Sequence, residues 1–314
     1  MKIAALAGGI GAGKFLRGLV RAVPPENVTV IVNTGDDVRM HGLQVCPDLD
    51  SVTYWLGDVF DRERGWGRRG ETFRATEELR AFGAPDAWFN LGDLDLATHL
   101  FRTMLLAGGT PLSDVTRRVA KRFGVRVRMI PMTDAPVTTR IDAIDARGVL
   151  LDLHFQEYWV ARGAADEVKT VRFDGADRAR PAPGVLEAIA SADAVIVCPS
   201  NPVVSIGPIL AVPGVREAVA ARRAAVVGVS PIVAGAPLAG MADRLMPAVG
   251  LEVSAAGAAG AYEGLLGGWV IDECDRALAA RLRATGVRVG VTDTVMTSDD
   301  VAEALAVTAL GLLG

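Results

Sequence analysis

Cysteine is scarce in this sequence: Cys46, Cys198 and Cys274 are the only three in 314 residues. An odd number without C-x-x-C spacing offers neither a disulfide framework nor a structural zinc site, and it fits a reducing cytoplasm. Histidine is as sparse, and His41, His99 and His154 share no metal-binding spacing with one another or with a cysteine, so zinc catalysis has no support. No G-x-S-x-G elbow is present for a serine hydrolase. No apolar run lasts the roughly 18 residues of a membrane span. The opening MKIAALAGGI is broken by Gly8 and Gly9 before it reaches signal-peptide length. A soluble cytoplasmic chain without a membrane partner is expected. Positive charge is not in excess either. A formal net charge of −4 cannot neutralise a nucleic-acid backbone, although residues 62–69 are locally rich in arginine, so no nucleic-acid partner is expected.

What is present reads as an ordinary globular enzyme, half hydrophobic and 22% charged. Short runs rich in Val, Ile and Ala at residues 2–7, 28–33, 126–130, 194–198, 225–230, 269–272 and 288–291 predict seven strands. Continuous apolar strands belong in a parallel sheet covered on both faces. Helical patterns lie between them at 14–22, 72–82, 96–107, 112–123, 184–190, 212–221, 275–283 and 299–313. The fold class is therefore α/β, with a doubly wound, mostly parallel Rossmann-like sheet in a single large domain spanning 1–314. Residues 137–171 break the rhythm with the alternating runs TTRIDAI and GVLLDLHFQEYWV, which predict an antiparallel insertion. The apolar segments 255–266 and 301–313 could form the face of a homodimer or belong to the core.

Four segments carry candidate chemistry. Gly8-Gly9-Ile10-Gly11-Ala12-Gly13-Lys14 is a strand-to-helix turn whose small residues let backbone N–H groups approach a phosphate; the plainer alternative is a tight turn needing glycine for geometry alone. It satisfies the first seven places of G-x-x-x-x-G-K-[ST], but Phe15 stands where a P-loop needs a hydroxyl for Mg2+. Asn33-Thr34-Gly35-Asp36-Asp37 and Pro47-Asp48-Leu49-Asp50 gather four carboxylates near the end of the second strand. Such acids repel unless a cation or a proton offsets them, and Asp48 could equally be a cap. The stretch from Phe89 to His99, with Asp93 and Asp95, enters a helix and alone could be an N-terminal cap. Pro199 to Pro208 is read as a polar loop fixed by prolines at the crevice-facing end of a strand, suited to holding a nucleotide. The run His154-Phe155-Gln156-Glu157-Tyr158-Trp159 concentrates rings in a chain that is only 5% aromatic, as a stacking wall or as core of the insertion.

Taken together, the glycine turn, NTGDD, HGLQVCPDLDSVTY, GWGRRGETF, LGDLDLATH, LHFQEYW, PSNPVVSIGPIL, VSPIVAGAPLAGMADRLM and DTVMTS resemble the 2-phospho-L-lactate transferase family from about residue 1 to about residue 300. The resemblance implies transfer of a phospho-C3-acid group (phospholactyl, phosphoenolpyruvyl or phosphoglyceryl) from a guanosine diphosphate-linked donor. The acceptor it implies is the ribityl hydroxyl of 7,8-didemethyl-8-hydroxy-5-deazariboflavin, with GMP released and Mg2+ present. By position it implies that Asp50 and Asn90 contact the deazaflavin, and that Gly8, Gly9, Gly11, Ser200, Asn201 and Ser205 border the nucleotide. Asp36, Asp37 and Asp50 become metal or acceptor-hydroxyl carboxylates. Leu94 departs from the arginine that many relatives carry after LGD. Two rival readings are a nucleotide-sugar-binding regulator of the related gluconeogenesis-factor family and a nicotinamide dehydrogenase; Gly9-Ile10-Gly11-Ala12-Gly13 misplaces the third glycine for the latter.

Overall fold

A computed structural model describes residues 1–313 of the chain. Seven parallel strands form the main sheet: β1 (Ile3–Ala7), β2 (Val28–Val32), β3 (Arg128–Pro131), β4 (Ala194–Val197), β5 (Val226–Val229), β6 (Gly268–Asp272) and β7 (Arg288–Thr292). Their spatial order is β7-β6-β5-β4-β1-β2-β3. The chain thus winds outward one way from β1 through β2 to β3, then crosses back to β4 and winds outward the other way. Alternate residues feed two apolar layers: Ala4, Leu6, Ile31, Val195 and Val197 on one face, and Ile3, Ala5, Ala7, Val30, Val32 and Ile196 on the other. Burial on both faces explains why these strands read as unbroken apolar runs. The order reverses between β1 and β4, and at such a switch point the crevice outside the carboxyl ends of the strands takes ligands.

The insertion is a three-stranded antiparallel sheet of Thr138–Ile144, Leu150–His154 and Glu167–Asp174, with Thr138–Ile144 central. It extends to Asp174, beyond the expected end at 171. In TTRIDAI the alternation points Thr139, Ile141 and Ala143 inward. Phe155 and Tyr158 are buried in the core, so of the two readings of that aromatic run the structure favours packing.

Helices α1 (Gly9–Ala22), α2 (Pro47–Leu56), α3 (Arg74–Ala81), α4 (Asp93–Ala107) and α5 (Leu112–Arg122) belong to the half that holds the acids. The sequence reading missed α2 and the hairpin of Val38–Met40 and Leu43–Val45. Most of the stretch from Pro199 to Pro208, expected as loop, is helical: a π-turn over Pro202–Ile206 continues into Gly207–Ala211. Later, Ala255–Gly260 and Asp299–Leu310 turn Ala255, Ala258, Ala302, Leu305, Ala306 and Ala309 into the core. Apolar surface is instead exposed on α4. That helix is built inside out: it buries Asp95, Thr98, His99 and Arg102 and exposes Leu94, Leu100, Phe101 and Met104. No single helix among the described residues is long and apolar enough to cross a membrane.

Candidate active site

The glycine turn sits at the switch point. Gly8, the N-cap, is extended and has no side chain to cap the helix, and Gly9, at φ +69°, opens α1. A Cβ on Gly8 would lie 2.5 Å from Asp48 Oδ2 and 2.7 Å from Ser205 Cβ, while one on Gly11 would collide with the Pro199 carbonyl. The Gly8 N–H donates to Ser200 Oγ at 3.3 Å. Gly8, Gly9, Gly11, Ser200 and Ser205, far apart in sequence, are therefore neighbours. Uncapped N–H groups at a helix N-terminus favour an anion.

Asn201 serves the same loop differently. Its Oδ1 accepts from the N–H groups of Val203 and Val204, at 2.9 and 3.3 Å, and so caps the helical turn that carries Ser205. Of its side-chain amide, that leaves the N–H2 for other partners.

The acids divide into two sets. Asp36 and Asp37 follow β2, whereas Asp48 and Asp50 stand in the first turn of α2, not at a strand end as their sequence position suggested. Pro47 opens that helix at N1, where its missing N–H costs nothing. Asn33 holds the junction: its Nδ2 donates to Asp48 Oδ2 at 2.9 Å and to the Val204 carbonyl at 3.2 Å, and its Oδ1 accepts from the Gly35 N–H. This fully buried amide ties β2, α2 and the Ser205 turn together. NTGDD marks the segment in the sequence, but only the fold shows that Asn33 is its hub.

Burial, then the neighbouring Asp48 carboxylate, pushes the Asp36 pKa well above the usual carboxylate range. Burial likewise raises Asp37 to about 8, even though the Cys46 thiol donates to its Oδ2 at 2.9 Å. Asp48 rises to about 6 for the same reason, opposed by the Asn33 amide and the Gly9 N–H. Asp36 Oδ1 and Asp37 Oδ1 are sealed from solvent without a hydrogen-bond partner. Unpartnered carboxylate oxygens with suppressed ionisation are what a hard divalent cation would relieve, so the donor chemistry fits Mg2+.

Asp50 stands apart from that pair. Arg102, 2% exposed, holds it with both terminal nitrogens: Nη2 donates to Oδ1, and Nη1 donates to Oδ2 at 3.1 Å. Nη1 also lies 3.1 Å from His99 Nδ1. Because guanidinium only donates, His99 Nδ1 must be the accepting nitrogen, in keeping with a pKa lowered by burial to about 4. Among the described residues no three His, Cys, Asp or Glu side chains already converge on one cation position, so Asp36, Asp37 and Asp50 do not form a ready-made triad. Arg102 went unmarked in the sequence. The one available signal was a charged residue one turn after His99 on the face that also carries Asp95.

Asn90 is not drawn into this cluster; its Oδ1 accepts from Arg80 Nη2 at 2.8 Å in the loop between α3 and α4. Asp93 and Glu71 act as reciprocal caps. Asp93 accepts from Thr72 Oγ1 and the Ala75 N–H at the start of α3, and Glu71 accepts from the N–H groups of Leu94 and Asp95, at 2.7 and 2.8 Å, at the start of α4. The acids of GETF and LGD are thus structural. Asp95 is different: burial raises it to about 7, and its Oδ1 is sealed without a partner, as is the Tyr54 hydroxyl.

The family model described as 2-phospho-L-lactate transferase CofD matches residues 3–308. The chain belongs to this family. Proteins named phosphoenolpyruvate transferase from Streptomyces griseus and Streptomyces coelicolor are 50% and 51% identical to it over 313 residues, covering 99% of this chain and 98% of theirs. One of the same name from Mycolicibacterium smegmatis is 42% identical over 330 residues, covering 100% of this chain and 99% of its own. The chain is therefore a transferase of the CofD family. In fold it is similar to the crystal structure of protein BH3568 from Bacillus halodurans, with a TM-score of 0.64 at 19% identity, covering 98% of this chain and 99% of that one. A second structure of BH3568, described as a member of the UPF0052 family, gives a TM-score of 0.61 at 17% identity, covering 98% of each chain.

Proposed function

We propose that this CofD-family transferase moves a phosphoenolpyruvyl group from a guanosine diphosphate-linked donor to the terminal ribityl hydroxyl of 7,8-didemethyl-8-hydroxy-5-deazariboflavin. The hydroxyl oxygen bonds to the phosphorus bearing the three-carbon acid, and the bond from that phosphorus to the bridging oxygen breaks. GMP leaves with the bridging oxygen and its electron pair, and the hydroxyl proton is released. The names of the relatives support the enolpyruvyl group among the three C3 acids. One observation carries the reading: the glycine-opened N-terminal turn of α1, with Ser200 and Ser205 beside it, adjoins a row of acids at the sheet's switch point.

In this reading the N–H groups opening α1, with Ser200 and Ser205, take the donor's diphosphate, and Asn201 shapes the turn while offering its amide N–H2. Mg2+ would be held by Asp36 and Asp37 with Asp48 alongside, and would neutralise charge on the transferring phosphoryl group. Asp50, fixed by Arg102, orients the acceptor hydroxyl in line with phosphorus; orientation of this kind is the main lever in a reaction that needs no covalent enzyme intermediate. Asn90 offers an amide N–H2 to the far end of the acceptor. The rival, a nucleotide-sugar-binding regulator, predicts UDP-sugar binding and no acceptor. Calorimetric titrations with GDP, a UDP-sugar and NADH separate the readings: GDP alone should bind, and tight UDP-sugar binding without GDP binding would favour the regulator.

A further inference from the structure

We propose that Asp95 is a positioning residue for the transfer: held neutral between α2 and α4, it leaves Arg102 to Asp50 alone, and its ionisation loosens the grip on the carboxylate that orients the acceptor hydroxyl. This rests on the role given to Asp50 above. Asp95, His99 and Arg102 fall at i, i+4 and i+7 on α4, the buried face of a helix whose apolar residues point outward. On α2 the matching pair is Asp50 and Tyr54, at i and i+4, and both are buried. Arg102 and His99 meet Asp50 at one end of this interface. At the other end Tyr54 feels the charges of both Asp50 and Asp95.

Asp95 holds no cation of its own. It is 6% exposed, and its Oδ1 and the Tyr54 hydroxyl are sealed without a completed hydrogen bond. The arginine-rich loop before α3 closes over it at Gly67, whose φ is +70°: a Cβ there would lie 3.3 Å from Asp95 Oδ2. The guanidinium groups of that loop are engaged elsewhere, since Arg68 Nη1 donates to the Leu94 carbonyl at 2.9 Å and Arg64 pairs with Asp61 at 3.1 Å. A carboxyl buried without an ion-pair partner keeps its proton. Burial first, then the charges of Asp50 and Glu71, raise Asp95 to about 7 against the pull of Tyr54 and Arg68. Charge balance follows. Asp50 and Arg102 cancel, His99 is neutral, and a neutral Asp95 leaves the interface at zero. Ionised, Asp95 would set a second carboxylate beside one guanidinium in a space of low dielectric, where like charges repel strongly. That repulsion falls on Asp50, and a small displacement there misaligns the hydroxyl it orients.

The test is the pH dependence of turnover at saturating Mg2+ and substrates, measured beside the infrared carboxyl band of the full chain without substrates. The parent's kcat should fall about tenfold per pH unit above about pH 7, as Asp95 ionises. A protonated-carboxyl band missing from Asp95→Asn should fade from the parent over the same range. Asp95→Asn carries a permanently neutral amide, so at about pH 8 its kcat should exceed the parent's by about tenfold. Tyr54→Phe removes a hydroxyl that favours the ionised form of Asp95, so the fall should begin at higher pH, a shift that a merely structural tyrosine would not produce. A fall that persists unchanged in Asp95→Asn would overturn the proposal, as would the absence of that difference band at about pH 6. A chain whose Asp95 titrates but which makes no deazaflavin adduct at any pH would sink the transferase reading itself, and this role with it.

Discussion

Asp50 and Arg102 show how a residue noticed in the sequence depends on one that was not. PDLD is visible as a knot of acids, but nothing local says that Asp50 is gripped by a guanidinium 52 residues later. Arg102 belongs to a helix whose apolar positions face outward, so reading apolar periodicity as the buried face hides it. Breaking a buried pair by removing one partner costs about 3–5 kcal/mol, because the other charge is left buried alone. Arg102→Met should lose that much stability in urea denaturation. Combining it with Asp50→Leu should restore most of the loss without restoring activity, and a double variant no more stable than Arg102→Met would show that the two residues do not act as a pair. Asp50→Asn keeps an acceptor oxygen for Arg102 and should retain the fold. Its turnover should drop by about a hundredfold or more, the scale set by misplacing a reacting group. A near-normal rate would remove Asp50 from the site.

Elements were legible where one signal dominated. All seven parallel strands are marked by apolar runs, most cleanly β1, β4, β5 and β6, in which every residue is buried, whereas the edge strands β3 and β7 begin at the exposed Arg128 and Arg288. Prolines obscure the elements elsewhere. Pro47, Pro202 and Pro208 look like breakers in a loop, yet each stands at the first or second position of a helical turn, where proline is tolerated. Neither α2 nor the helical Ser205 turn therefore stands out in the sequence pattern, although Asn201 before Pro202 is an ordinary capping signal. Asn201→Ala removes that cap and should cost about 0.5–2 kcal/mol of stability. It should also weaken GDP binding, because Ser205 loses its anchored turn, while deazaflavin binding stays nearly constant. Titrating the variant with each ligand separately checks this; lost deazaflavin affinity with intact GDP binding would mean that the two halves of the crevice are reversed.

At the scale of the whole molecule, the acid row links stability to pH and to divalent cations. Asp37 titrates near 8 in the folded chain against an ordinary value of 3.8, and Asp36 and Asp48 shift in the same direction. Across that window the folded state keeps protons that the unfolded state has lost, so this contribution to stability is full at low pH and fades as pH rises toward 8. Without divalent cations the melting temperature should therefore decline from about pH 5 to about pH 8 on this account. Mg2+ should raise it more at the upper end, where the carboxylates can ionise around the cation. Asp37→Asn should flatten the slope, and an unchanged slope would place the titrating group elsewhere. The doubly wound topology was readable from strand order, and with it the meeting of Gly8 and Ser200 at one sheet edge; that Asp48 packs against Gly8 was not, since α2, which carries it, leaves no clear pattern in the sequence. The most direct test of the transferase account is mass spectrometry of the purified chain's reaction with the deazaflavin, Mg2+ and the guanosine diphosphate-linked enolpyruvyl donor. The account predicts a deazaflavin product heavier by one phosphoenolpyruvyl group and one GMP per product molecule. GMP released without a deazaflavin adduct, or an adduct that forms while GDP is the nucleotide released, would contradict it.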